Sequence, residues 1–125
     1  ETPLLENITK NFTPDIAIIQ FAGNYMGYSN KFIKQDTLKM AQYFIDRGAT
    51  CYWVGAPDSR TKRERRAEVK KIIQANIGNL CHFIDSTLYT KYPATGGDGI
   101  HYWGTEGSKI ARSWAKNVID IVNAK

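Results

Sequence analysis

Asp98 and His101 are the two residues of this chain whose types and spacing best suit catalysis. They lie in the segment Gly-Gly-Asp-Gly-Ile-His-Tyr-Trp-Gly, residues 96–104. A carboxylate that hydrogen-bonds one imidazole nitrogen fixes the tautomer and leaves the other nitrogen to act as a base. The surrounding glycines permit the backbone conformations that such a turn requires. The alternative is that Asp98 caps a turn and His101 is an ordinary surface residue, so the neighbouring elements must decide.

The elements that must position this pair follow from hydrophobic periodicity, which predicts helices alternating with three short strands. The predicted helices cover residues 2–13, 34–47, 65–76 and 105–122, and the predicted strands cover residues 15–24, 49–54 and 79–84. Right-handed crossovers between such strands give a parallel sheet. The loops that carry Asn24, Asp58 and Asp98 then meet at the carboxyl edge of the sheet, where a site is expected.

Length and composition predict one domain over residues 1–125 with a single core, since 42% of the residues are hydrophobic. No segment approaches the roughly 18 apolar residues that a membrane helix needs, so we expect no transmembrane segment. The chain opens without a recognisable signal-peptide pattern, which leaves its compartment open.

The net charge of +5 depends strongly on one basic cluster around the third predicted helix. Its members are Arg60, Lys62, Arg63, Arg65, Arg66, Lys70 and Lys71. Such a cluster is a candidate surface for nucleic acid or an anionic polymer. Glu64 and Glu68 interleave with it and no aromatic residues do, which favours the solvated face of a helix. We therefore expect no nucleic-acid partner.

The cysteine and histidine content argues against a structural metal. Cys51 and Cys81 form no C-x-x-C motif, and the chain has two histidines, so we expect neither a zinc site nor a cofactor. Both cysteines fall near the starts of predicted strands, where we expect buried thiols. The alternative is a bridge between neighbouring strands, which would imply an oxidising compartment.

Two motifs in this order of elements resemble the SGNH (GDSL-like) hydrolase superfamily. Asp98-Gly-Ile-His101, just before the last helix, resembles block V of that family, D-x-x-H. Ala22-Gly-Asn24-Tyr25 is similar to block III, G-x-N-D, with Ala22 in place of glycine and Tyr25 in place of aspartate. The approach through Pro14 and Asp15, and Pro57 after the second strand, are also typical of the family.

The resemblance implies a three-layer αβα, flavodoxin-like fold with a parallel sheet that lacks its first two strands. It also implies a serine esterase in which His101 is the general base, Asp98 orients it and Asn24 donates to the oxyanion. The implied substrates are esters of lipids, O-acetylated sugars or peptidoglycan, with acetyl transfer as a related outcome. A secreted or periplasmic location is favoured on the same ground.

The nucleophile is the missing part of this resemblance. The family carries its serine in block I, G-D-S, and a further oxyanion-hole glycine in block II, and both are absent from the 125 residues. We therefore expect the serine upstream of Glu1 or on another chain, and the 125 residues alone to be nearly inactive. Ser59 is an internal candidate, because it follows Asp58 after the second strand; a turn-capping role is the alternative.

Two further questions stay open from the sequence. Aromatic and apolar loop residues could line an acyl or sugar pocket or could pack the loops; they are Tyr25, Met26, Tyr28, Tyr102 and Trp103. A function of a different class is a catalytically inactive binding or assembly module. In that case the open edge of the sheet would recruit a partner chain or a second copy of this one.

Overall fold

The computed structural model describes residues 2–124, with side chains from residue 5 onward. Four helices and three strands alternate along it: α1 (Thr2–Thr9), β1 (Ile16–Ile19), α2 (Asn30–Asp46), β2 (Thr50–Val54), α3 (Arg63–Ile77), β3 (Cys81–Ile84) and α4 (Gly104–Asn123). The types and order of these elements confirm the prediction. The largest difference is that β1 ends at Ile19 rather than at residue 24, because Gly23–Tyr25 form a 3₁₀ turn. The first helix ends at Thr9 rather than at residue 13. The second helix, α2, begins at Asn30 rather than at residue 34. Ser29 caps it there, because its hydroxyl accepts the Phe32 N–H at 3.1 Å.

The three strands form a parallel sheet in the order β1-β2-β3. Ile18 is the register partner of Tyr52, and Cys51 is the partner of Cys81. The short, nearly continuous apolar strands suit a sheet that is covered on both faces. The protein therefore has an α/β fold with a small parallel sheet, as predicted at this coarser level.

Helices lie on both faces of the sheet. On one face, α2 and α3 bury Ile19, Cys51 and Trp53 together with residues such as Ile73. On the other face, α4 packs on β2 and β3, in a cluster made of Tyr52, Val54, Ile84, Val118 and Val122. No helix in the described part of the chain combines the length and apolarity needed to cross a membrane.

One face of β1 remains uncovered. Ile16 and Ile18 are 48% and 53% exposed, whereas Ala17 and Ile19 are buried on the opposite face. Their register with Thr50 and Tyr52 places them on the face that α4 covers elsewhere. Within residues 2–124, β1 pairs with β2 alone. The described part of the sheet thus ends in an exposed apolar strand, which is a surface prone to pairing.

The expectation of free cysteine thiols is wrong. Cys51 and Cys81 are directly opposite in the β2–β3 register, and their sulfur atoms are bonded at 2.06 Å. The Cα atoms are 4.6 Å apart, within the range that a disulfide spans. The bridge therefore joins two neighbouring strands whose cysteines are 30 residues apart in sequence.

Candidate active site

Asp98 and His101 form a hydrogen-bonded pair in the turn before α4. Asp98 Oδ2 lies 2.6 Å from His101 Nδ1, and Asp98 Oδ1 accepts the N–H groups of Ile100 and His101, both at 2.8 Å. The His101 side chain, followed by these two N–H groups, holds the pKa of Asp98 well below its ordinary value. An ionised carboxylate only accepts hydrogen bonds, so Nδ1 carries the hydrogen and Nε2 is the basic nitrogen.

Gly99 allows the turn to close. Its φ of +84° lies in the left-handed region, and a Cβ there would come within 3.2 Å of Arg60 and Thr61 side-chain atoms. Glycine is favoured at this position because it adopts the positive φ and because the β2–α3 loop approaches closely. The contact is completed by the Arg60 N–H, which donates to the Gly99 carbonyl at 2.7 Å.

The buried side chain of Tyr92 stabilises the same turn. The Tyr92 hydroxyl donates to the His101 carbonyl at 3.0 Å and accepts the Gly99 N–H at 3.2 Å. The Tyr92 N–H in turn donates to Asp58 Oδ2 at 2.7 Å. These bonds attach the turn to the β2–α3 loop, which begins at the carboxyl end of β2. They restrict the conformations open to the catalytic candidates.

Arg60 holds the segment that precedes the turn. Its Nη1 donates to the carbonyls of Pro93 and Gly96 at 2.9 and 2.8 Å, and its guanidinium lies 5.2 Å from the centre of the Tyr92 ring. The glycine-rich segment 93–97 has no helix or strand of its own. Arg60 supplies the partners that regular structure would otherwise provide.

Asn24 and His101 line the same cleft, as the topology predicts. Asn24 is exposed on the short 3₁₀ turn Gly23–Tyr25 that follows β1. The cleft has a volume of about 260 Å³, and its described lining is Gln20, Ala22, Gly23, Asn24, Ala56, Pro57, Arg66, Ile100 and His101. No serine is among these described lining residues. The cleft thus contains a candidate base and a candidate oxyanion donor without a nucleophile.

Tyr25 is a core residue, whereas Tyr102 both holds a loop and borders a groove. Tyr25 is fully buried, its hydroxyl donates to Asp36 Oδ2 at 2.7 Å, and its ring packs edge-to-face on Phe21. The Tyr102 hydroxyl donates to the Asp58 carbonyl at 2.5 Å, and burial raises the pKa of this phenol. The pocket prediction is therefore wrong for Tyr25, while Tyr102 still borders a groove with part of its ring.

Trp103 and Met26 line two other depressions beside the cleft. Trp103 is 62% exposed, stacks on His101 with ring centres 5.2 Å apart, and borders with Tyr102 a groove of about 290 Å³ that also reaches His101. Met26 lines an apolar cavity of about 110 Å³ between the β2–α3 loop and α3. This cavity adjoins the cleft, since Ala22 and Pro57 line both. Tyr28 instead packs against Phe32, with ring centres 4.7 Å apart.

The structure does not bring Ser59 into the cleft with His101. Ser59 is 2% exposed, and its hydroxyl donates to the Thr61 carbonyl at 2.7 Å. It borders the apolar cavity instead. This geometry is that of a turn-stabilising serine, which was the alternative to the nucleophile.

The basic cluster is less uniform than a solvated helix face. Lys62, Arg63 and Lys71 are exposed, but Arg60, Arg65 and Arg66 are partly buried, each in a different environment. Arg65 donates to the carbonyls of Met26 and Tyr28 and so holds the loop before α2. Arg66 lines the cleft itself.

The helical spacing of Arg66 is the sequence signal that identifies it as an inward-facing residue. It lies three, seven and eleven residues before Val69, Ile73 and Ile77, on the face of α3 that packs inward. Arg60 and Tyr92 gave no comparable signal, because each acts through a loop. Within the described part of the chain, no group of three or more His, Cys, Asp or Glu residues is placed to hold a metal ion.

Comparisons with protein-family models, with curated proteins and with solved structures give no match for this chain. The fold and the site therefore rest on the geometry described above.

Proposed function

We propose that this chain carries the base and oxyanion-binding part of an SGNH-type serine ester hydrolase, in a flavodoxin-like αβα fold. One observation carries the proposal. The Asp98–His101 pair, with Oδ2 and Nδ1 2.6 Å apart, shares a cleft with Asn24 at the carboxyl edge of a parallel sheet. Carboxyl edges of such sheets are where ligands bind in open α/β folds.

In the proposed reaction, His101 Nε2 takes the proton of a serine hydroxyl as the serine oxygen bonds to the acyl carbon of the ester. Asp98 stabilises the imidazolium that forms, and the Asn24 side-chain amide donates to the developing oxyanion. The imidazolium then protonates the leaving alcohol. Water, activated by the same imidazole, releases the acid and restores the serine.

The serine is proposed to come from outside the 125 residues. One oxyanion donor lowers the barrier by roughly 3 kcal/mol, whereas removing the nucleophile costs far more, so Asn24 and His101 without serine give negligible turnover. A further strand could pair with β1, and an element that follows this strand could cover the exposed side chains of Ile16 and Ile18. Upstream sequence or a partner chain that supplied this strand would bring a serine to the Asn24 end of the sheet.

The disulfide favours an oxidising compartment for this reaction. Bridges such as Cys51–Cys81 persist in secreted and periplasmic proteins and are rare in reducing compartments. Acyl lipids, O-acetylated sugars and peptidoglycan are esters that an enzyme meets there. The exposed Trp103 beside His101 offers a flat aromatic wall for either a sugar or an acyl chain.

The test is the intact mass of the protein after treatment with a fluorophosphonate. The 125-residue chain and its longest natural upstream extension are treated side by side. We expect an adduct on the extended form only, with ester hydrolysis that His101→Ala abolishes and His82→Ala leaves unchanged, since His82 stacks on Tyr52 away from the cleft. An adduct on the 125-residue chain would identify an internal serine, such as Ser59, as the nucleophile. Retained hydrolysis in His101→Ala would refute the proposal.

A second function is favoured by the exposed face of β1. An assembly module would use Ile16 and Ile18 to bind a partner chain or a second copy and would need no nucleophile. It predicts no fluorophosphonate adduct on either form and an association that His101→Ala does not alter.

A further inference from the structure

Arg66 lines the cleft that contains Asn24 and His101, and its side chain also has a buried donor without a partner. Its Nε is fully shielded from solvent and has no hydrogen-bond partner among the described residues. Neither an ion pair nor a side-chain hydrogen bond of Arg66 occurs between residues 2 and 124, whereas Arg63 and Arg65 of the same helix have carboxylate partners. A buried charged donor without a partner is costly and uncommon, which distinguishes Arg66 from the other arginines of α3.

The surroundings of Arg66 favour an anion. The described lining of the cleft contains no carboxylate, and its polar side chains are Gln20, Asn24, Arg66 and His101. Gln20 and Asn24 contribute amide donors, and Arg66 contributes the permanent positive charge. Two carboxylates lie beside the cleft, and both have partners. Asp98 is engaged by His101 and two backbone N–H groups, and Asp58, which lines the adjoining cavity, accepts from the Tyr92 N–H and pairs with Arg63. A planar guanidinium suits an oxyanion, which it binds through two parallel bonds.

The position of Arg66 connects it to the reacting groups. It lines both the cleft and the adjoining apolar cavity of about 110 Å³, together with Ala22, Ala56 and Pro57. Its charge also acts on the Tyr102 phenol, beside the His101 turn. A substrate held here would place an anionic group against Arg66 while its ester lies between Asn24 and His101. The cavity, which has room for a few carbon atoms, suits a short acyl group.

From these observations we infer that Arg66 is a specificity-determining residue that binds an oxyanion of the substrate, so that the substrate is a short-chain acyl ester of an anionic glycan or similar polyanion. This inference rests on the proposed function for the ester, but anion binding by Arg66 is measurable without any turnover. The oxyanion could be a carboxylate or a phosphate, and the two are separated by the choice of probe.

The test is an NMR titration of the 125-residue chain. It follows the Arg66 Nε–H signal in the wild type and the backbone amide signals of Asn24 and His101 in the wild type and in each variant. The probes are D-galacturonate, the neutral D-galactose of the same ring, and inorganic phosphate. We expect galacturonate or phosphate to shift the signal and galactose to have no effect. Arg66→Gln should weaken the binding by roughly tenfold or more, since a hydrogen bond to a charged group is lost, and Arg66→Lys should give an intermediate loss.

Arg112→Gln is the matched control, because it removes the same charge from an exposed position on α4. The bound anion should also raise the thermal unfolding midpoint of the wild-type chain and not that of Arg66→Gln. Binding of phosphate alone would support the oxyanion site and assign a phosphate rather than a carboxylate. Equal binding of galactose and galacturonate, or equal losses in Arg66→Gln and Arg112→Gln, would overturn the inference. The fluorophosphonate adduct tests the hydrolase separately.

Discussion

The hydroxyl of Tyr92 donates to the backbone carbonyl of His101 at 3.0 Å, so a buried phenol fixes the main chain of the proposed base. The same oxygen accepts the Gly99 N–H, and both groups lie in the Asp98–His101 turn. The side-chain pair is exposed to solvent, but the backbone that carries it is anchored in a buried network. The position of an exposed imidazole thus depends on a buried tyrosine.

Tyr92→Phe is therefore expected to destabilise the protein and to misplace His101. The phenylalanine ring fills the same space, but the buried Gly99 N–H loses its acceptor, at a cost of about 1–2 kcal/mol in the free energy of unfolding. Urea unfolding measures this change. Tyr28→Phe is the control, because the Tyr28 ring is about half exposed. In the form that has a nucleophile, kcat should fall roughly 10- to 100-fold with little change in KM. Equal stability of the two variants would contradict the role of the hydroxyl.

Asp98→Asn should reduce turnover by on the order of 10³- to 10⁴-fold in the form that has a nucleophile. The amide preserves the size of the side chain but stabilises neither the imidazolium nor the tautomer with hydrogen on Nδ1. Steady-state kinetics on a chromogenic ester measure the loss. Asp120→Asn is the control, since Asp120 pairs with Lys116 on the exposed side of α4. A similar kcat for wild type and Asp98→Asn would exclude the pair as a catalytic unit.

The pH dependence of stability gives an independent measure of the same carboxylate. The folded-state pKa of Asp98 is depressed below its ordinary value of 3.8, so its contribution to stability is present above that pH and is lost as the pH falls. The wild-type free energy of unfolding should therefore fall more steeply than that of Asp98→Asn between about pH 4 and pH 2. Urea titrations across this range give both curves, and parallel curves would show that the turn does not stabilise the ionised form.

Much of this site follows from the sequence, because parallel strands bring distant loops to one edge. The periodicity of three apolar strands was enough to predict that Asn24 and Asp98 meet there, and the cleft that Asn24 shares with His101 agrees. The start of α2 was missed because residues 25–30 look like a loop, while the capping by Ser29 depends on a single hydroxyl.

The other features of the structure depend on strand register and side-chain packing, which hydrophobic periodicity does not predict. Cys51 and Cys81 were each placed near a strand start, but a bond between them needs the two strands to be neighbours in one specific register. Tyr25 is an aromatic loop residue by sequence and so a candidate for a pocket, yet its hydroxyl donates to Asp36 and its ring lies in the core. Arg60 and Tyr92 act through loop carbonyls, and sequence patterns do not predict such contacts.

Replacing both cysteines by alanine should lower the free energy of unfolding by about 3–4 kcal/mol, because the bridge closes a loop of about 30 residues in the unfolded chain. Urea unfolding with and without dithiothreitol measures the effect. The reductant should bring the wild-type midpoint close to that of Cys51→Ala/Cys81→Ala and leave the variant unchanged. A wild-type midpoint that does not respond to reductant would mean that the bridge does not stabilise the sheet.

The exposed face of β1 distinguishes the 125-residue chain from a form in which a further element completes the sheet. In the 125-residue chain, Ile16→Thr/Ile18→Thr should change the free energy of unfolding by no more than about 0.5 kcal/mol, since both side chains are about half exposed and threonine keeps the branched shape that strands favour. Sedimentation velocity should show less self-association than in wild type. Leu88→Thr is the control, because Leu88 is exposed on the 3₁₀ turn Ser86–Leu88, outside the sheet.

In a form whose sheet is completed by upstream sequence or by a partner, the same double substitution should cost several kcal/mol. Each buried isoleucine contributes about 1.5–3 kcal/mol relative to its exposed state, so the loss appears only if a further element covers β1. Comparing the double variant in the two forms by urea unfolding therefore reports where the covering element comes from. If the cost is equally small in both forms, no further element covers this face of β1 in the longer form or in the complex.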